Sequence, residues 1–392
     1  MNLMIPTNWD DDLIEEIKGL PVSTIFGKLQ SDYFGGGRPS IYIPSVSRKI
    51  ASKHIALIHK YGYKFNYLLN TSCMNNEEFT RRGQYKMQKF MRWLLRNEID
   101  SITVAIPYLA RWVKRNYPTL KIKASIIANI DTVKKAKYWQ DLGADSITLS
   151  LDCNRDFTLL EGIVENVKCE IVPIVNLACL SNCPFSLYHY VLGSHASQLT
   201  HKLKGFYIDY CMIFCSYLRL LDPAQIIRSC WIRPEDLSYY ENIGINSFKI
   251  VGRILPIDKI VKIVKAYSER NYRGDLLDIL SPFVGQSPFN LEKFIRGIKY
   301  MFRPFNVNIF RLANLKRITR ENFIEVDNQG LNNFLEGFKD KNCRLMNCDD
   351  CNYCQNIANK VIKVDLAQLN ELKNTYKNIL ESIESGRMFR YI

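Results

Sequence analysis

No stretch of this 392-residue chain reaches the roughly 18 consecutive apolar residues that a membrane-spanning helix needs. Its start, MNLMIPTNWDDDLIEEIKG, has neither the basic nor the apolar region of a secretory leader and carries three consecutive aspartates. No span and a cytoplasmic location are therefore expected. Also missing are a zinc-protease H-E-x-x-H, a phosphate-binding P-loop and a G-x-S-x-G elbow, and none of the five histidines is placed like a triad base. Acidic residues are the minority charge, 39 against 53 Lys and Arg, for a net charge of +14. No long Lys/Arg run accompanies this excess, so it reads either as spread surface charge or as a footprint for RNA or another anionic partner. KKAK at 134–137 reads as the outer face of a helix.

Cysteine, by contrast, is plentiful: there are twelve, and eight fall into two groups. One joins Cys179-x-x-x-Cys183 to Cys211-x-x-x-Cys215; the other packs Cys343, Cys348, Cys351 and Cys354 into twelve residues. In a reducing compartment, clustered thiols point to metal or redox chemistry more than to disulfides. Four thiolates suit a 4Fe–4S cluster or a structural zinc. The first group favours iron–sulfur, with Cys230 as an alternate ligand. The second, in the polar segment NCRLMNCDDCNYC, suits a second cluster or zinc. The bland alternative is free cysteines buried as small hydrophobes.

With 47% apolar residues the chain can bury a large core. Strand-like segments at 22–27, 63–69, 101–106, 120–127, 146–151, 169–175 and 245–251 alternate with helical patterns. Helical stretches close at Gly62, Gly143 and Gly244, each just before a strand. Repeated helix–Gly–strand units predict a parallel sheet with right-handed crossovers, closing as a distorted, TIM-like (β/α) barrel over 1–280; an open doubly wound sheet is the alternative. A cysteine-bearing excursion over 177–244 belongs at the C-terminal face of that barrel. SPFVGQSPFN at 281–290 reads as a linker, and 291–392 as a cysteine-rich, partly helical module. Its last helix, 365–384, aligns Leu369, Leu372, Tyr376, Ile379 and Ile383, a stripe expected to dock on its own domain.

Several residues gather near predicted strand ends. Arg38, after three glycines, suits a carboxylate or phosphate. Lys249 and Arg253, in FKIVGR, suit an anion at the rim. Asn70, Ser125, Asn129 and Asn176 offer small polar groups, with loop capping as the alternative. Cys73 lies next to Asn70, and Arg233 opens the RPEDL turn.

SDYFGGG, YKFNYLLNTSCMNNEEF, LKIKASIIANIDTVKKAKYWQDLGADSITLS and RPEDLSYYENIGINSFKIVGR, in that order, resemble the U-thirty-two peptidase-like family across residues 22–270. The family's KIEGR phrase has Val251 in place of Glu, and the first cysteine pair is more closely spaced than usual. The resemblance implies a TIM barrel with a 4Fe–4S cluster supporting oxygen-independent hydroxylation of RNA or a biosynthetic intermediate, with a prephenate-like oxygen donor. On that reading Arg253, Lys249, Asn70 and Cys73 are catalytic. Arg38, Ser125, Asn129, Asn176 and Arg233 bind an anionic substrate, and an electron-donor or partner subunit is expected. The alternatives are a non-catalytic iron–sulfur accessory or RNA-binding subunit, and a peptidase acting on a peptide.

Overall fold

The computed structural model describes residues 1–283, 291–313, 315, 323–339 and 341–390. Most of the expected linker, 284–290, lies outside them. Eight parallel strands form one sheet: β1 (Asn2–Pro6), β2 (Val22–Gly27), β3 (Lys64–Leu69), β4 (Ser101–Val104), β5 (Lys121–Ala124), β6 (Ser146–Ile147), β7 (Glu170–Ile171) and β8 (Ser247–Lys249). Their order is β7-β6-β5-β4-β3-β2-β1-β8. The ends meet where Lys249 bridges Ile174: Lys249 N donates to Pro173 O (2.9 Å) and Val175 N donates to Lys249 O (3.0 Å). The sheet is thus a nearly closed barrel, and the doubly wound alternative falls.

All seven expected strands are present. The eighth is β1, whose Leu3, Met4 and Ile5 are buried between β2 and β8. Five residues beside an aspartate run are a weak strand signal; only their two neighbours make them a strand.

Gly62, Gly143 and Gly244 end their helices with φ of 81°, 96° and 92°, a left-handed conformation that glycine adopts without steric cost. The helix Arg81–Arg96 buries Met87, Phe90, Met91 and Leu94 against the sheet, starting from Thr80, whose side chain accepts from Gly83 N. Leu95, one residue off the stripe, is exposed.

The excursion folds as helices Ser186–His195, Tyr210–Leu221, Ala224–Arg228 and Leu237–Glu241. The C-terminal segment is helical apart from an antiparallel pair, β9 (Ile324–Val326) with β10 (Ile362–Val364). One continuous apolar core runs from Leu3 through the barrel to Leu380. The last helix, Leu366–Glu384, buries Leu369, Tyr376, Ile379 and Leu380 and packs within the chain, on the excursion helix Tyr210–Leu221 and on the turn Arg387–Phe389.

A chain of hydrogen bonds, buried at Thr7 and His54, ties the helix Arg48–Lys60 to the end of β1. Thr7 Oγ1 lies 2.8 Å from His54 Nε2, and His54 Nδ1 lies 2.5 Å from Asp11 Oδ1. The Asp11 carboxylate only accepts, so a neutral His54 carries its proton on Nδ1 and its Nε2 accepts from Thr7 Oγ1, which also accepts from Trp9 N. Burial holds the His54 pKa below its ordinary 6.5, outweighing the pull of Asp11. The neutral ring's contribution to stability is therefore complete above about pH 6.5 and is lost as pH falls toward the depressed folded value. His54→Gln is expected to flatten the acid limb of a urea-midpoint-versus-pH curve; an unchanged limb would refute this account.

Candidate active site at the barrel mouth

Chain segments leaving β2, β3, β5, β7 and β8 converge at the C-terminal face of the barrel. After β2, Lys28 and Asp32 form a fully buried ion pair. Asp32 also accepts from Tyr67 OH at 2.8 Å and from Gly35 N at 2.8 Å, so each carboxylate oxygen has a partner, as burial of a charge requires. Sequence reasoning missed all three side chains. Lys28 and Asp32 both precede the glycine run 35–37, and Tyr67 sits mid-strand between Asn66 and Leu68.

The three glycines serve the protein's own packing. A Cβ on Gly35 would come within 2.5 Å of Gln198 Cγ, on Gly36 within 2.7 Å of Lys28 Cε, and on Gly37 within 2.4 Å of Ile127 Cδ1. Ser197 clamps the loop, its Oγ accepting from Gly36 N (2.7 Å) and lying 2.9 Å from Gly36 O. The excursion therefore roofs this part of the mouth.

The expected rim residues divide into two kinds. Asn70 joins two loops, its Oδ1 accepting from Gly37 N at 3.3 Å and its Nδ2 donating to Ser125 Oγ at 3.4 Å. Arg253 is buried, and its Nη1 has no partner among the described residues. Burial, reinforced by Arg38, lowers its pKa from the usual 12.5 to about 9. An orphaned guanidinium nitrogen in this setting calls for an anion. Lys249 is buried with its Nζ 4.5 Å from the centre of the Phe26 ring. Burial, then Lys123 and Arg253, bring its pKa from 10.5 to about 7. Lys123 Nζ, from β5, lies 3.9 Å from Met4 Sδ on β1; those strands are not neighbours, so this contact crosses the barrel interior.

Other expected residues are committed elsewhere. Asn176 pins the barrel closure, donating to Val251 O (3.0 Å) and accepting from Val251 N (2.8 Å). Arg233 makes a bidentate pair with Asp236 (2.8 Å twice) and donates to Asn328 O at 2.9 Å, which turns it away from any substrate. Asn129 occupies a left-handed turn, φ 49°, where its carbonyl accepts from Lys135 Nζ. Cys73 is half-buried, its sulfur accepting from Asn75 N at 3.3 Å.

Cys179 and Cys183 follow β7, and Cys211 and Cys215 share a face of the helix Tyr210–Leu221. Cys179 keeps some surface in solvent, but its sulfur lies in dense protein, and burial pushes the thiol up to about 12; Arg219, Cys215, Cys183 and Arg38 all act on it more weakly. Burial likewise raises Cys211 to about 12, with Cys183 and Cys215 contributing. The four thiols thus lie within reach of one another's charge. Among the described residues no three His, Cys, Asp or Glu side chains already converge to metal-ligating distance. Two observations nevertheless fit a thiophilic group here. The buried Arg219 donates through Nη1 to Cys215 Sγ at 3.4 Å, while its Nε has no partner among the described residues. A bound metal would convert these thiols to thiolates. Cys230 lies apart, near Asp152 and Ser181.

The sequence profile of peptidase family U32 matches residues 44–183. An uncharacterized protease of Methanocaldococcus jannaschii is 30% identical over 334 residues, 85% of this chain and 87% of that protein. This chain belongs to peptidase family U32. The solved structure of a U32 peptidase superposes with TM-score 0.48 at 20% identity, covering 64% of this chain and 92% of that one. Thiamine phosphate pyrophosphorylase from Pyrococcus furiosus superposes with TM-score 0.35 at 13% identity, covering 67% and 96%. In this U32 protein no helix among the described residues is long and apolar enough to cross a membrane.

Burying Lys249 also has a measurable consequence. Its folded pKa lies below its unfolded value, so between about pH 7 and 10.5 the unfolded chain binds more protons and stability rises with pH. Lys249→Met is expected to stabilise the protein at pH 7 by on the order of a few kcal/mol. The gain should shrink toward pH 10.5 in denaturant titrations, and a variant less stable at pH 7 would contradict the burial assignment.

Proposed function

We propose that this U32 protein is an iron–sulfur enzyme that hydroxylates, without molecular oxygen, a substrate held at the barrel mouth beside an anionic donor. The observation that carries the reading is the pairing of an orphaned, buried Arg253 with a four-thiol group on the same face; Arg38 lies close enough to act on both Arg253 and Cys179.

On this reading Cys179, Cys183, Cys211 and Cys215 hold a 4Fe–4S cluster, which supplies one-electron transfer when bound. Arg253 and Arg38 take the carboxylate of a hydroxylated organic acid of the prephenate type. Lys249, with a pKa of about 7, holds or releases a proton at Nζ near neutrality. The Lys28–Asp32–Tyr67 network keeps the β2 loop, and with it Arg38, in place. The hydroxyl leaves the donor for a substrate carbon and a hydrogen returns, so the substrate loses two electrons and the donor gains them.

The relative's description as a protease favours a second reading, peptide hydrolysis. The Thr7–His54–Asp11 chain has the connectivity of a nucleophile, base and acid, but Thr7 and His54 are each 1% exposed, so no peptide reaches them as the protein stands.

Anaerobically isolated protein should be brown, with about four labile sulfides per cluster. Cys179→Ser together with Cys215→Ser should remove the colour of that cluster, and Arg253→Gln should leave the colour while weakening binding of a dicarboxylate probe at least tenfold. Colourless protein that hydrolyses a peptide substrate would replace this reading with the peptidase one.

A further inference from the structure

We infer that the C-terminal cysteines form a second metal site, a four-thiolate centre for a thiophilic metal, built against the side of the excursion and stabilised by Arg155. This inference does not depend on the cluster proposed at the barrel mouth.

Cys343, Cys348, Cys351 and Cys354 line one pocket with largely apolar walls, together with Arg228 and Lys341. The lining contains no carboxylate. Cys348 and Cys351 bracket one short helix, Cys354 lies in the next, and Cys343 precedes both. The thiols act on one another: Cys348 and Cys351 on Cys343, and Cys343 and Cys348 on Cys354.

The second observation is Arg155, on the loop after β6. It is 4% exposed. Its Nη1 donates to Ile227 O at 2.7 Å, but its Nε and Nη2 have no partner among the described residues. Its guanidinium stacks within 5.0 Å of the rings of Trp231, Phe334 and Phe338, which holds it in place, and its charge reaches Cys343 and Cys354. A buried guanidinium with two idle nitrogens is costly unless an anion lies nearby. No carboxylate in the pocket lining supplies one. Once the thiols lose their protons to a bound metal, they form a centre of net negative charge, whether the metal is one zinc ion or an oxidised 4Fe–4S core. Arg155, Lys341 and Arg228 then compensate that charge, Arg228 in part because it also pairs with Asp222.

The site is anchored rather than dangling. Arg344, next to Cys343, donates to Asp131 O (3.0 Å) and Cys153 Sγ (3.3 Å) and pairs with Asp156 at 3.3 Å. These groups lie on the loops after β5 and β6, so metal binding would fasten residues 341–354 to the barrel face.

Site-resolved alkylation tests this in the full-length protein. Anaerobic samples loaded with ferrous iron and sulfide, or with zinc alone, are treated with iodoacetamide and the labelled peptides read by mass spectrometry. Cys343, Cys348, Cys351 and Cys354 should be protected as a set in at least one of the two samples and labelled after chelation, while Cys73 labels throughout. Protection with iron and sulfide identifies a cluster; protection with zinc alone identifies a zinc centre. In the protecting sample, Cys348→Ser with Cys351→Ser should lower bound metal by one centre, and Arg155→Gln should weaken retention against a chelator at least tenfold. If the four thiols label as fast as Cys73 in both samples, the inference is overturned, and protection at Cys179 to Cys215 would not rescue it.

Discussion

Lys249 is where the architecture closes. Its backbone stitches β8 to the chain after β7, and the Asn176–Val251 pair extends that closure. The same residue sends an ammonium into the interior that the closure creates. Ring closure removes that ammonium from water, and the nearest charges, Lys123 and Arg253, are positive as well. The mouth above is therefore short of negative charge. Asp32 is taken by Lys28, which leaves Arg253 unpaired and makes an anionic ligand the natural complement of the fold.

The excursion converts this electropositive opening into a bounded site. Its first helix lies over the glycine loop, and its second carries two of the four thiols. The last helix of the chain in turn packs on that second helix. The position of Cys211 and Cys215 is thereby tied to residues more than 150 positions away. Each thiol group has its own buried arginine with an idle nitrogen, Arg219 at one and Arg155 at the other. Asp152 and Cys230 stand between the two groups: Asp152 accepts from Asn182 N in the first cysteine loop, and Cys230 lies within reach of Cys343.

Much of this was legible in the chain. Apolar, β-branched segments had to be strands buried on both faces, and Gly62, Gly143 and Gly244 marked where helices turn into them. The cysteine spacings marked both thiol groups. Other features were not legible because they are long-range. Arg233 looks like a rim cation until Asp236 and Asn328 are seen to occupy it. Asn176 looks like a ligand donor until Val251 takes both ends of its amide. The glycines at 35–37 look like a ligand cradle until the space beside them is found filled by Lys28, Ile127 and Gln198.

By itself the sequence determined periodicity, turn positions, thiol spacing and an excess of positive charge, all properties of neighbouring residues. Only the tertiary structure decided that β1 is a strand, that the sheet closes, and which cations remain unpaired. Those outcomes depend on which groups meet across the barrel, and burial then sets the electrostatic cost of every charge left without a partner.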